Sequence, residues 1–318
     1  MIYENGGPEV LRYEEVPDPD CPDGHVVVET EAISIEGGDL LARAQAPVAS
    51  VPHVVGYASA GTVTEVAADV DAPAVGQRVV ALGAAGSHAS KRAVAAAMTW
   101  PIPAGLDAAA AACVPVAFAT AYECLFTAAN LTEGQTVLIH AGGGGVGMAA
   151  IQLAARAGAT VISTASSDEK LARLKELGLD HGINYATDSF VERTNELTES
   201  RGVDVVVDVI GGQNLVDSVG VLAHRGTLVS VGLAARAGST IEARSLWAHN
   251  NTLRGVWLAA AWPYEYARLH AMTADLLEQL GRGDLRVQID RTFPLDEAAS
   301  AHEYVESRKA FGRVVMAP

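Results

Sequence analysis

The sequence predicts an α/β fold in two parts: a barrel-like antiparallel β unit and a doubly wound parallel sheet. Three observations carry this. At 318 residues the chain exceeds the usual size of a single hydrophobic core. Up to residue 100 or so, short β-rich runs are separated by Pro and Gly, as in antiparallel sheets. From Thr136 onward apolar runs alternate with helix-forming segments, the rhythm of parallel βαβ units.

Taken in order, residues 25–30, 53–66 and 77–82 read as strands of the first unit. The segment Trp100-Pro-Ile-Pro103 then leads into an Ala-rich helix over 107–129. Its most apolar run, 108–122, is too short to span a bilayer and is broken by Pro115. Strands follow at 136–140, 160–163, 203–209, 227–231 and 252–258, with helices at 146–157, 168–177, 190–199 and 213–222 between them. An amphipathic helix over 264–281, a strand over 286–293, a helix over 295–307 and a last strand over 312–316 return the chain to complete the first unit.

The run Thr136-Val-Leu-Ile-His-Ala-Gly-Gly-Gly-Gly-Val-Gly147 is a buried strand, a glycine turn and the start of a helix. Gly142, Gly144 and Gly147 have the G-x-G-x-x-G spacing of a dinucleotide site. The first permits the tight turn, the second lets backbone approach a pyrophosphate, and the third lets helix and strand pack closely. Helix-start amides and the positive end of the dipole favour phosphate there. Sites selective for NAD place an acid near the end of the second strand, on the ribose 2′-hydroxyl. This chain has Thr164, Ala165, Ser166 and Ser167 instead, with Lys170 one turn on, which suits the 2′-phosphate of NADPH. Asp168 and Glu169 read as first-turn acids behind a Ser cap.

A net charge of −16 and a pI near 4.9 disfavour nucleic acid and anionic membranes as partners. No basic-then-apolar leader opens the chain. Cys21, Cys113 and Cys124 lack disulfide-framework or metal-finger spacing, which fits a reducing cytoplasm.

Gly6-Gly-Pro-Glu-Val-Leu11, Val16-Pro-Asp-Pro19, the glycine fingerprint, Gly178-Leu-Asp-His-Gly-Ile-Asn-Tyr185 and Gly226-Thr-Leu-Val-Ser-Val-Gly232 together resemble the medium-chain dehydrogenase/reductase superfamily. The closest likeness is to its zinc-independent quinone oxidoreductase (zeta-crystallin-like) and enoyl reductase branch. That resemblance implies a GroES-like catalytic domain from residues 1–116 and 256–318, and an NADP-binding Rossmann domain from 117–255. It also implies an active site in the cleft between them and a homodimer. Members usually carry a few more residues of first strand before the Gly6-Gly7-Pro8 turn, so Met1 is expected to lie inside that strand.

Zinc-using relatives place ligands where this chain has Glu36, Tyr57 (followed by Ala58) and Val116. One carboxylate without imidazole or thiolate does not hold catalytic zinc, so no metal is expected. Without a Lewis acid, a conjugated acceptor that spreads developing charge is the suitable hydride acceptor: a quinone, an enone or an unsaturated thioester. An NADPH-binding protein with little turnover, serving a structural or redox-responsive role, and an alcohol dehydrogenase-like activity are the alternatives.

The resemblance places Thr120 near the nicotinamide phosphate, and Gly142, Gly143, Gly144, Gly145 and Val146 around the pyrophosphate. Ser166, Lys170 and Tyr185 fall around the 2′-phosphate, and Ile210, Gly232 and Leu233 beyond strand ends. The backbone of Gly312 and Arg313 falls on the nicotinamide side. For catalysis the candidates are Tyr57, whose alternative is a core tyrosine, and Glu36, as nicotinamide anchor, proton relay or salt-bridge partner. Relatives often have Asn at position 36 and a Tyr in the following loop, where residues 43–50 offer none. His53 reads as a packing residue and Asp208 as a strand-end turn residue. Trp257, Trp262, Tyr264 and Tyr266 line a pocket, pack, or meet a dimer partner along an edge strand at 252–258.

Overall fold

A computed structural model describes residues 1–48 and 51–318. The chain divides into two compact units, one of Met1–Val116 with Ala267–Pro318 and one of Ala117–Tyr266.

The first unit opens with β1 (His25–Ser34), α1 (Gly37–Gln45), β2 (Ala58–Val66), β3 (Arg78–Leu82), β4 (Lys91–Ala95) and β5 (Thr99–Pro101). β1 is its central strand. β2 and β4 pair with it antiparallel, with Val26 opposite both Val66 and Val94. Inward-facing Val26, Val28, Val63, Val79, Ala81 and Val94 make one core of this sheet. Helix α2 (Ala108–Ala112), capped by Asp107 Oδ1 on the Ala110 amide at 2.8 Å, lies at the end of this first segment.

The second unit contains α3 (Ala119–Tyr122), β6 (Thr136–Ile139), α4 (Gly145–Arg156), β7 (Thr160–Ala165), α5 (Asp168–Leu174), β8 (His181–Asn184), α6 (Phe190–Leu197), β9 (Val203–Asp208), α7 (Gly212–Ser218), β10 (Leu222–Ser230) and β11 (Thr252–Gly255). Its six strands are all parallel, in the order β11-β10-β9-β6-β7-β8. Counted from β6, that order is 3-2-1-4-5-6, the dinucleotide-binding arrangement, and the direction of winding reverses between β6 and β9. Leu138, Ile162, Ile183, Val206 and Leu228 pack from this sheet into its core, the near-continuous apolar strands expected when both faces are covered.

Helix α8 (Leu258–Gly281) carries Pro263 and kinks at Glu265. Its 267–281 segment, β12 (Ile289–Pro294), α9 (Ala298–Glu306) and β13 (Arg313–Ala317) return to the first unit. β13 joins β1 antiparallel, with Ile33 opposite Met316, and Ile33, Ile35, Leu40, Phe293, Leu295 and Val314 form a second core there.

Several expectations need correction. The Ala-rich helix is interrupted at Cys113, just before Pro115 as expected, but helical structure resumes at once and the run is longer than expected. Helical structure runs over Ala108–Ala128, 21 residues, with π-type stretches at Val114–Phe118 and Glu123–Ala128. α2 ends at Cys113 and Pro115 falls in the first turn of the next stretch, where an amide N–H has no partner to lose. The run is therefore long and apolar enough to cross a membrane by length and composition, yet 78% of its most apolar window is buried inside the protein. The strand expected from residue 53 starts at Ala58 in β2, with His53 in a single bridge to Ile2. Helix α1 and strands β4, β5 and β8 had no counterpart in the sequence reading.

Candidate functional site

In the second unit, the end of β6 is tied to β7 by the backbone itself. The Ala141 amide donates to Thr164 Oγ1 at 3.1 Å and the Gly142 amide to the Thr164 carbonyl at 2.9 Å. His140, 1% exposed, bridges Thr164 Oγ1 (3.2 Å) and Ser218 Oγ (3.0 Å), and burial pushes its pKa down to about 4. It is a structural link that sequence reasoning missed, since both partners are remote in the chain.

The glycines beyond it are needed for close approach. A Cβ on Gly142 would lie 2.2 Å from Ser163 Oγ, and one on Gly147 2.4 Å from the Ala141 carbonyl. Gly144 caps α4 and contributes no side-chain acceptor to its first turn. Gly143 to Val146 are only half-buried, so a twelve-residue helix presents its N-terminal amides at an accessible turn. This bare, glycine-walled turn fits a dinucleotide pyrophosphate.

At the end of β7, Ser166 and Lys170 are half-buried. Ser167 Oγ accepts from the Lys170 amide at 3.3 Å, confirming the cap, and Asp168 Oδ1 accepts from Asn184 Nδ2 at 3.2 Å. The nearest acid is thus engaged with β8. The Tyr185 amide donates to the Ala165 carbonyl at 3.1 Å, bringing its half-exposed ring to the same strand end as Ser166. Residues that carry a hydroxyl, an ammonium and a phenol thus lie near this strand end, a set suited to a 2′-phosphate.

At the end of β9, buried Asp208 accepts from the Ile210 and Gly211 amides at 2.5 and 2.8 Å and from Asn214 Nδ2 at 3.0 Å. It is the turn residue the sequence indicated. Gly232 is pressed against the Val209 carbonyl and Leu233 is exposed, so Ile210, Gly232 and Leu233 do gather beyond the carboxyl ends of β9 and β10. Thr120 is buried on α3, which packs against α4. Trp257 and Tyr264 are 76% and 88% exposed and border a hollow of about 580 Å³ with Glu123, Thr127 and Arg254, which excludes core packing for these two rings. Trp262 is half-buried and meets Tyr266 at 6.2 Å between ring centroids.

In the first unit, Glu36 precedes α1 and its amide donates to Asp39 Oδ2 at 2.8 Å. The Glu36 carboxylate is buried and accepts from Ser34 Oγ at 2.8 Å and Arg313 Nη2 at 2.5 Å. Burial works against the Arg313 charge, but the Glu36 carboxylate beside it holds the guanidinium pKa above its usual value. A cation therefore already sits on the one carboxylate among the positions where relatives bind zinc. Among the described residues, no group of three or more His, Cys, Asp or Glu is arranged to hold a metal.

Asp39 is fully buried; burial first, and the Glu36 charge second, raise its pKa well above the carboxylate range. Tyr57 is half-buried with its ring over Gly38, where a Cβ would come within 2.7 Å of Cε2. Burial, then the charges of Asp39 and Glu36, push its phenol pKa upward, so the hydroxyl keeps its proton. The Tyr57 carbonyl accepts from Arg92 Nη1 at 2.9 Å; burial lowers the Arg92 pKa to about 10. Sequence reasoning missed Asp39 and Arg92 as neighbours of the two candidate acids. The Arg313 amide donates to the Gln288 carbonyl at 2.7 Å, and Gly312 adopts φ +109° against the same residue. Of the loop 43–50, Ala49 and Ser50 lie outside the described residues.

Known proteins share this arrangement. Residues 145–275 match the zinc-binding dehydrogenase family, and residues 22–110 match the alcohol dehydrogenase GroES-like domain. A 2-haloacrylate reductase of a Burkholderia species is 33% identical, covering 100% of this chain and 98% of its own length. A quinone oxidoreductase of Pseudomonas aeruginosa is 32% identical over 98% of this chain and 97% of its own. Among solved structures, a mycobacterial protein complexed with NADPH superposes with a TM-score of 0.94 at 32% identity, and the Escherichia coli quinone oxidoreductase complexed with NADPH with 0.93 at 28%. Each superposition covers 100% of this chain and 98% of the other.

Proposed function

Because the chain belongs to the medium-chain dehydrogenase/reductase superfamily, in its zinc-independent quinone oxidoreductase branch, we propose that it is an NADPH-dependent reductase of conjugated acceptors, quinones or activated alkenes. The observation that carries the reading is the end of β7, which has Ser166 and Lys170 in place of an acid and engages Asp168 with Asn184, beside the likeness to NADPH complexes. When bound, NADPH supplies a hydride from nicotinamide C4.

The chain's own residues bind, orient and protonate. Amides of Gly143, Gly145 and Val146, at a turn shaped by Gly142 and Gly144, would hold the pyrophosphate, and Lys170 would pair with the 2′-phosphate, assisted by Ser166 and Tyr185. Ile210, Gly232, Leu233 and Thr120 border the nicotinamide half. Tyr57 holds a proton on its hydroxyl across the neutral pH range and donates it to the reduced acceptor. Glu36, fixed by Ser34 and Arg313, orients the nicotinamide amide or ribose as an acceptor. The Gly312–Arg313 backbone borders the same half of the nucleotide.

The assembly is a homodimer in this reading. Strand β11 is an edge strand with all four residues exposed, and Leu253 offers apolar surface along it, so a second copy covers this edge. Three free cysteines fit a reducing, cytoplasmic setting, and the buried 108–128 helix is a core helix of a soluble protein.

Anaerobic mixing of the protein and NADPH with a panel of quinones, enones and 2-haloacrylates tests the activity. Oxidation of NADPH by at least one acceptor, with NADH markedly slower, is expected. No oxidation across the panel would overturn the reading.

A further inference from the structure

We infer that His88 and His302 are a positioning pair that fixes the peptide carrying Tyr57, through a hydrogen-bond chain whose direction is set by Arg43. The inference rests on the reading of Tyr57 as proton donor. Neither histidine belongs to a motif used above, and both are buried, at 7% and 0% exposure. A neutral imidazole has one donor and one acceptor nitrogen, so a row of them has a polarity.

That polarity is determined here. Arg43 is fully buried in α1, anchored by Nη2 on Glu306 Oε1 at 2.7 Å and by Nε on the Gly6 carbonyl at 3.2 Å. Its Nη1 lies 3.0 Å from His302 Nδ1. A guanidinium only donates, so His302 Nδ1 accepts and its Nε2 carries the hydrogen. That Nε2 lies 2.9 Å from His88 Nε2, which must accept, leaving His88 Nδ1–H to donate to Ser87 Oγ at 3.2 Å. Both rings are neutral in this arrangement. Protonating either would set N–H against N–H at one link. Burial and the neighbouring cations agree, holding His88 well below its usual pKa and His302 at about 3.

The chain ends on the segment before Tyr57. The Gly86, Ser87 and His88 amides donate to the Val54, Gly56 and Val55 carbonyls at 2.9, 3.1 and 3.0 Å. Gly56 adopts φ +97°, and a Cβ there would lie 2.0 Å from His88 Nδ1 and 2.1 Å from Ser87 Oγ. The turn 86–88 is thereby zipped along 54–56, and the histidine pair ties that turn to α1 and α9.

The test uses the full-length protein with His302→Ala, His302→Gln, Ser87→Ala and Tyr57→Phe. Hydrogen exchange at the 83–88 amides and the kcat and KM for NADPH and acceptor are read for each. His302→Ala should speed exchange at 86–88 and lower kcat roughly ten- to hundredfold, with KM for NADPH within about twofold of wild type. His302→Gln can accept from Arg43 and donate to His88, so it should restore most of the kcat; Ser87→Ala should show a smaller kcat loss at unchanged Tm. Wild-type exchange and kcat in His302→Ala, or in Ser87→Ala should the former not fold, overturns the pairing. So does equal loss in the Ala and Gln variants. Unchanged kcat in Tyr57→Phe overturns the proton-donor role instead, and the exchange data still decide whether the pair holds the turn.

Discussion

At the scale of single residues, the proposed 2′-phosphate site predicts that Lys170 sets the choice of nucleotide. A charge-assisted contact to the 2′-phosphate contributes about 1.5–3 kcal/mol, so Lys170→Ala should raise KM for NADPH roughly ten- to hundredfold and leave KM for NADH nearly unchanged. Steady-state kinetics with both nucleotides check this; an equal change for the two would remove Lys170 from the phosphate site. The Glu36–Arg313 pair makes a separate prediction about stability. Both groups are buried, so Arg313→Met leaves a carboxylate without its cation and should cost about 3–5 kcal/mol by denaturant unfolding. Adding Glu36→Gln to that variant should recover much of the loss, since no unpaired charge remains. Glu36 and Tyr57 were legible in the sequence as motif positions. Their surroundings were not: Arg313 lies 277 residues from Glu36, and no spacing rule connects them.

At the scale of elements, legibility followed periodicity. The strands and helices of the parallel sheet were readable because long apolar runs alternate with good helix formers. The exception, β8, is four residues with two exposed or half-buried positions, too short to show a pattern. Strand β5 has three residues, and α1 begins with Gly37 and Gly38, poor helix formers that hid the Glu36–Asp39 box before them. Pro115 does mark the end of α2, but because it lies in the first turn of the next stretch the helical run continues beyond the length its apolar residues indicated. The glycine turn is the element most exposed to substitution. In Gly147→Ala the new methyl meets the Ala141 carbonyl and Gly142 Cα, at 2.4 and 2.8 Å, both backbone atoms that cannot rotate away. The variant should lose about 1–3 kcal/mol of stability and bind NADPH weakly, measured by thermal unfolding and fluorescence titration. Wild-type affinity would show that α4 does not need its close approach to β6.

At the scale of the whole molecule, the chain buries several titratable groups, and their shifts set its response to acid. His88, His140 and His302 are all held below the ordinary value of 6.5, chiefly by burial. Arg43, Arg92 and the Met1 amino group add repulsion around the His88–His302 pair while Glu306 opposes it, and Asp208 opposes the shift of His140. Above pH 6.5 folded and unfolded states both keep these imidazoles neutral, so they contribute no slope. As pH falls from 6.5 toward about 3, the unfolded chain takes up protons that the folded chain refuses, and stability drops. At pH 5 the loss is about 2 kcal/mol for His140 and for His302. Asp39 acts in the opposite sense: its raised folded pKa favours the folded state at low pH, and that contribution fades as pH rises through the folded value. The two are separated by substitution, because His302→Gln removes one imidazole and leaves Asp39 in place. Urea unfolding at pH 7 and pH 5 should show a wild-type deficit at the lower pH that shrinks by about 2 kcal/mol in His302→Gln. An undiminished deficit in that variant would mean that His302 is already protonated in the folded protein, and the hydrogen-bond polarity from Arg43 to Ser87 would have to be abandoned.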